Sequence, residues 1–210
     1  MCALGRWSNH TDELMKLLNN LPAVDALRVA GVMDARYLVS LRDWPLPVVH
    51  HGREVTIYRN DAAMGRAWLV PQARVVGDSL AALAAPSFDP RQMVLLTSPV
   101  AEAQTSKGAV GVVESLQDSP NAVTIRAASE SGGFLVLADT FYPGWQATLD
   151  GQPAEILRAN HTFRSVAFPP GEHIVAFRYL PFSFQVGAVV SLLTLFVTVG
   201  ALTVLSLRRR

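Results

Sequence analysis

Val186–Leu207 is a run of 22 residues with no charge and no proline, followed at once by Arg208, Arg209 and Arg210. At a rise of about 1.5 Å per residue it makes roughly 33 Å of helix, enough to cross a hydrocarbon core of about 30 Å. Leu, Val and Phe dominate the run, each favouring insertion by roughly 0.3–0.6 kcal/mol at the bilayer centre. Ser191, Thr194, Thr198, Thr203 and Ser206 can return their hydroxyls to the helix backbone. A core helix of this length ordinarily carries a charged face, so residues 182–210 read as a transmembrane helix with an arginine tail, and the lipid bilayer is the first expected partner. The positive-inside rule places Arg208, Arg209 and Arg210 in the cytoplasm and everything before Phe182 outside it. Yet Met1–Asn20 has no apolar core of the kind a secretory signal needs. The expectation is a C-terminal piece of a longer polytopic protein, whose upstream helices set the topology; a tail-anchored cytosolic protein is the rival.

The remaining residues carry ordinary globular chemistry. All 17 acidic residues precede Val186 and three of the 18 basic ones follow Leu207, which leaves the portion before the anchor slightly acidic. No polyanion-binding surface is implied, and no nucleic-acid partner is expected. The one cysteine, Cys2, excludes an internal disulfide. His10, His50, His51, His161 and His173 have no metal-ligand spacing and are expected on the solvated surface, so no metal, cofactor or catalytic residue is assigned. Ser-nucleophile and phosphate-loop motifs are likewise missing from the sequence.

Periodicity divides the chain into an α+β part over residues 1–100, a β-sandwich over 109–181 and the anchor over 182–210. Thr11–Leu21 spaces Leu14, Leu17, Leu18 and Leu21 on one helical face and stops at Pro22. Ala35–Leu41 reads as a strand, Val48–Tyr58 as a hairpin turning near Gly52, and Ala67–Val76 as a strand interrupted by Pro71. Ser79–Ala85 is a short helix and Gln92–Thr97 a buried strand. Ser98–Gly108 has no periodicity and reads as a boundary or long loop. Seven short strands follow: Val110–Gln117, Ala122–Ala128, Gly133–Ala138, Trp145–Leu149, Ala154–Arg158, Arg164–Phe168 and His173–Tyr179. Such a series, with no long helix, predicts a mainly antiparallel sandwich. Tyr179, Phe182 and Phe184 either form an interfacial aromatic belt or pack beneath the sandwich.

The densest motif is Asp139–Gly151, DTFYPGWQATLDG. Pro143 and Gly144 supply a bend, Trp145 fills space between sheets, and Asp150-Gly151 closes a hairpin whose central residues both need positive φ. The same residues are candidate glycan contacts. Tyr142 and Trp145 offer apolar faces to a sugar ring, and Asp139 and Asp150 offer hydroxyl acceptors.

The run Gly133–Gly187, GFLVLADTFYPGWQATLDGQPAEILRANHTFRSVAFPPGEHIVAFRYLPFSFQVG, resembles the C-terminal end of the bacterial YfhO-type membrane proteins. Ala35–Ser40 (ARYLVS), Val55–Asp61 (VTIYRND), Gly65–Pro71 (GRAWLVP) and Phe88–Leu96 (FDPRQMVLL) resemble segments of that family in the same order. The resemblance implies a relative of GT-C-type glycosyltransferases that use lipid-linked sugars, with many membrane helices and a C-terminal extracytoplasmic domain. It implies a role accessory to glycosylation of cell-envelope polymers, with the multi-helix part of such a protein as a partner. The catalytic loops of that class lie between N-terminal helices that this chain does not contain, so the chain is expected to be non-catalytic alone. A stand-alone, membrane-anchored glycan-binding module is the alternative.

Overall fold

The computed structural model describes residues 4–41, 43–99 and 111–208, with side chains from His10 onward. Most of the expected Ser98–Gly108 boundary therefore lies outside the described residues, as do Arg209 and Arg210.

Two helices open the chain, α1 (Leu4–Asn20) and α2 (Ala23–Val32), separated where Pro22 breaks the first and starts the second. The sequence reading finds only the first. The second, AVDALRVAGV, is rich in alanine and valine and lacks a clean polar face, because Ala26, Val29, Ala30, Gly31 and Val32 are all buried. A small antiparallel sheet follows, made of β1 (Tyr37–Ser40), β2 (Val48–His51) and β3 (Thr56–Arg59) in the order β1-β3-β2. Next come β4 (Ala67–Val70), β5 (Gln72–Val75), α3 (Ser79–Ala84) and β6 (Met93–Leu96). The side-chain oxygen of Asp78 caps α3 by accepting from the Ala81 amide at 3.0 Å, the usual service of an aspartate at that position.

Beyond the undescribed segment run β7 (Val112–Ser119), β8 (Ala122–Ser129), β9 (Gly133–Thr140), β10 (Trp145–Leu149), β11 (Gln152–Ala154), β12 (Leu157–Ala159), β13 (Phe163–Phe168) and β14 (Gly171–Tyr179), then α4 (Phe182–Arg208). Five of these strands form one antiparallel sheet, β11-β10-β14-β8-β7. Three others join strands from the first half in a six-stranded sheet, β4-β9-β13-β12-β6-β5. The expected single strand Ala154–Arg158 is in fact two, since the chain leaves the first sheet after Ala154 and enters the second at Leu157.

The six-stranded sheet is sharply curved, for a covalent reason. Its two outer strands, β4 and β5, are joined by the single residue Pro71. Consecutive Cα atoms lie about 3.8 Å apart, so the edges must curl round until they meet at that bend. Strands buried on both sides need apolar residues at every position, and β9 shows this: Phe134 and Val136 belong to one core, Leu135 and Leu137 to the other. The first core is filled further by Leu14, Val29, Val32 and Leu83 from the three helices. The second is shared with Val123, Ile125, Val175 and Phe177 of the five-stranded sheet. The body is therefore layered as helices, curved mixed sheet and antiparallel sheet.

The helix α4 spans 27 residues, with a mean hydropathy of 2.4 over its most apolar 18-residue stretch and no buried residue. That removes the alternative of a core helix. Thr194, Thr198 and Thr203 each donate to the carbonyl four residues back, at 2.8–2.9 Å, which satisfies their hydroxyls without a solvent partner.

Candidate functional site

Strand β9 ends in a bulge. Phe163 pairs with Thr140 but Arg164 with Leu137, so Ala138 and Asp139 are extra on the β9 side. Bulges re-aim side chains, and here Asp139 is held between two arginines. The Arg66 guanidinium donates to it twice, from Nε at 3.1 Å and Nη2 at 3.0 Å, while Arg164 Nη2 donates at 2.8 Å. Arg66 also binds Asp118, in a second bidentate contact. Asp139 foremost, then Asp118, holds Arg66 charged far above its ordinary range, and Arg66 in turn lowers Asp118.

Arg164 is the unusual member. It shares strand parity with Val166 and Phe168, both in the core between the sheets, so its guanidinium is carried inward and is only 2% exposed. Its charge sits 3.9 Å from the centre of the Trp145 ring and 5.3 Å from that of Phe177, close enough for cation–π attraction. Burial pulls its pKa down to about 10, against the opposing pull of Asp139. Among the described residues, its Nε and Nη1 have no hydrogen-bond partner. Sequence reasoning missed both arginines; the one available signal was a charged residue at an inward position of the run FRSVAF.

Trp145 also meets the approach to the membrane helix. Its ring centre is 5.4 Å from that of Tyr179, and Tyr142 lies 6.3 Å from the same ring. The Leu180 amide donates to the Gly144 carbonyl at 2.7 Å, and the Tyr179 amide to Asn121 at 2.9 Å. Gly144 has φ 101°, and a Cβ there would stand 3.0 Å from the Tyr179 ring and 3.1 Å from Pro181. Only glycine fits without displacement. The Tyr142–Trp145 turn thus clamps the segment from which α4 starts two residues later. Of the aromatic residues considered for a belt, Tyr179 packs into this clamp, whereas Phe182 and Phe184 are exposed.

Tyr142, Pro143 and Trp145 also line a cleft of about 460 Å³, with Gln146 and Thr148 as polar wall residues. Asp139 and Asp150 are not among its lining residues. Asp150 stands at φ 49° and Gly151 at φ 81° in the two-residue turn joining β10 to β11. The Asp150 carboxylate accepts from the Ile174 amide at 2.8 Å and from His173 Nδ1 at 2.6 Å. The Ile174 bond, then His173, lowers the Asp150 pKa; Asp150 first, then the Pro170 carbonyl, raises that of His173.

The expectation of five solvated histidines fails at His161, which is 6% exposed. It sits in the β12–β13 turn, where Leu95 of β6 binds the preceding Asn160 through both amides and the Asn160 side chain. Burial, with Arg158 and His10, holds the His161 imidazole below its ordinary pKa.

Fold and site together define a class: a membrane-associated protein whose β-rich body is clamped to the start of one long apolar helix. Residues 101–191 match the model of the family described as bacterial membrane protein YfhO. The matched stretch runs through the clamp and into the membrane helix, so the resemblance read from the sequence is shown there. The segments between Ala35 and Leu96 lie before it. No curated protein matches the chain.

Proposed function

We propose that this chain acts as the C-terminal extracytoplasmic domain and membrane anchor of a YfhO-like integral membrane protein, accessory to the glycosylation of cell-envelope polymers. The observation that carries this reading is the clamp. Binding of Leu180 by Gly144 and the tilted packing of Tyr179 against Trp145 leave no free linker between body and helix, so the aromatic cleft is held beside the membrane where a lipid-linked sugar would be handled. Tyr142 and Trp145 supply flat apolar faces and Gln146 and Thr148 hydrogen-bonding groups, the combination a sugar ring needs. Asp139 and Asp150, also candidates from the sequence, serve this reading indirectly: the first anchors Arg164 against Trp145, the second closes the adjacent hairpin.

The test is calorimetric titration of the full chain in detergent with oligosaccharides released from envelope polymers. Saturable binding that Tyr142→Ala weakens at least tenfold is expected, and a flat response to every sugar removes the glycan role. A topology reporter fused after Arg210 is expected to be active only on the cytoplasmic side; activity outside reverses the orientation.

A further inference from the structure

Three potential ligands meet at a place unrelated to the cleft. His10 and Glu13 lie one turn apart on α1, on the same helical face, and His161 reaches them from the β12–β13 turn. Glu13 Oε2 is 3.1 Å from His10 Nδ1 and 3.1 Å from His161 Nε2. All three donor atoms lie within 4.8 Å of one another. A tetrahedral zinc with bonds of about 2.0–2.1 Å separates its ligand atoms by about 3.3 Å, so small side-chain shifts bring these three into place.

The surroundings resemble a built site rather than a chance encounter. The second nitrogen of His161, Nδ1, is 2.8 Å from the Oγ of the buried Ser79, an outer contact of the kind that fixes the tautomer and aims the other nitrogen at a metal. His161 and Asn160 both adopt left-handed backbone, φ 74° and 45°, conformations that non-glycine residues hold only when the surroundings impose them. Here the imposition comes from the Leu95–Asn160 bonds and from Arg158 Nε, which donates to the His161 carbonyl at 2.5 Å. His161 is thereby presented rigidly, while His10 and Glu13 remain reachable from solvent, with side-chain exposures of 23% and 44%.

We infer that His10, Glu13 and His161 form a binding site for a divalent transition-metal cation of the zinc type, with a fourth position open to water. Two imidazoles and one carboxylate suit that class. The cation joins α1 to a turn 148 residues away from Glu13 and so fastens the N-terminal helix to the curved sheet.

The experiment uses the full chain in detergent, carrying Cys2→Ser to remove a competing thiolate, and titrates it with Co²⁺ and then Zn²⁺. One equivalent of Co²⁺ giving the visible absorption of a tetrahedral centre, displaced by one equivalent of Zn²⁺, is expected, together with a higher melting temperature for the loaded protein. Because His161 is buried and its loss endangers folding, the decisive variants are His10→Ala and Glu13→Gln. Each should weaken binding at least tenfold, with Ser79→Ala weakening it about tenfold, while the double variant His50→Ala/His51→Ala binds as the parent does. Absence of saturable binding overturns the proposal, as does binding that survives His10→Ala or disappears with His50 and His51.

Discussion

Replacing Asp139 by Asn leaves the shape of the site intact but strands the charge of Arg164 between the two sheets. Arg164 is nearly inaccessible, and a pKa of about 10 corresponds to roughly 3 kcal/mol against its charged form even with the carboxylate in place. Removing one partner of a buried pair costs about 3–5 kcal/mol. The lower end applies because Asp139 itself is 21% exposed, so Asp139→Asn should destabilise the body by about 3 kcal/mol. Arg164→Met should behave differently. It deletes the buried charge together with the unpartnered Nε and Nη1, keeps the apolar contact with Trp145 and Phe177, and leaves Asp139 bound to Arg66. Its cost should be about 1 kcal/mol. The double variant should therefore be more stable than Asp139→Asn alone, a coupling of about 2 kcal/mol. Urea unfolding of the full chain in detergent, followed by tryptophan fluorescence, measures all three. An Arg164→Met variant as unstable as Asp139→Asn would refute the idea that the stranded charge, rather than the lost contacts, dominates.

Two further outcomes follow from the same region. Gly144→Ala should cost about 1–3 kcal/mol, since its Cβ meets the Tyr179 ring and Pro181; it should also speed hydrogen exchange at the Leu180 amide, and unchanged exchange would mean that the clamp is not held there. The Asp150–His173 pair should stabilise the β10–β11 hairpin most between about pH 4 and 6.5. The contribution of His173, raised above 6.5, is complete below that value and is lost as pH rises through the raised pKa; that of Asp150, lowered from 3.8, is present above 3.8 and is lost as pH falls through the lowered pKa. Titration of the His173 ring by NMR should give a pKa above 6.5 that Asp150→Asn returns towards it, and an equal value in both proteins would exclude the coupling.

What the chain reveals before folding is whatever depends on near neighbours. The membrane helix is legible because length and apolarity are local and sufficient, and its lack of any buried residue in the fold agrees with that reading. Apart from Ala154–Arg158, which divides into two strands, the strands from Ala122 to Tyr179 are legible for a similar reason, since alternation and turn residues such as Asp150-Gly151 act over a few positions. The tertiary structure alone decides what depends on distant pairing. The two outer edges of the curved sheet meet through Pro71 because β5 pairs with β6 and β4 with β9, which no local pattern encodes. Asp139 is an equally plain case, because in the sequence it is a turn acceptor available to a ligand. A two-residue bulge and partners 73 and 25 residues away make it the counter-charge of Arg66 and Arg164. His161 follows the same logic, its burial depending on a helix near the start of the chain. Hydropathy and hydrogen-bonding habit belong to single residues and are written in the chain; the company a charge keeps in the interior is set by which strands lie side by side.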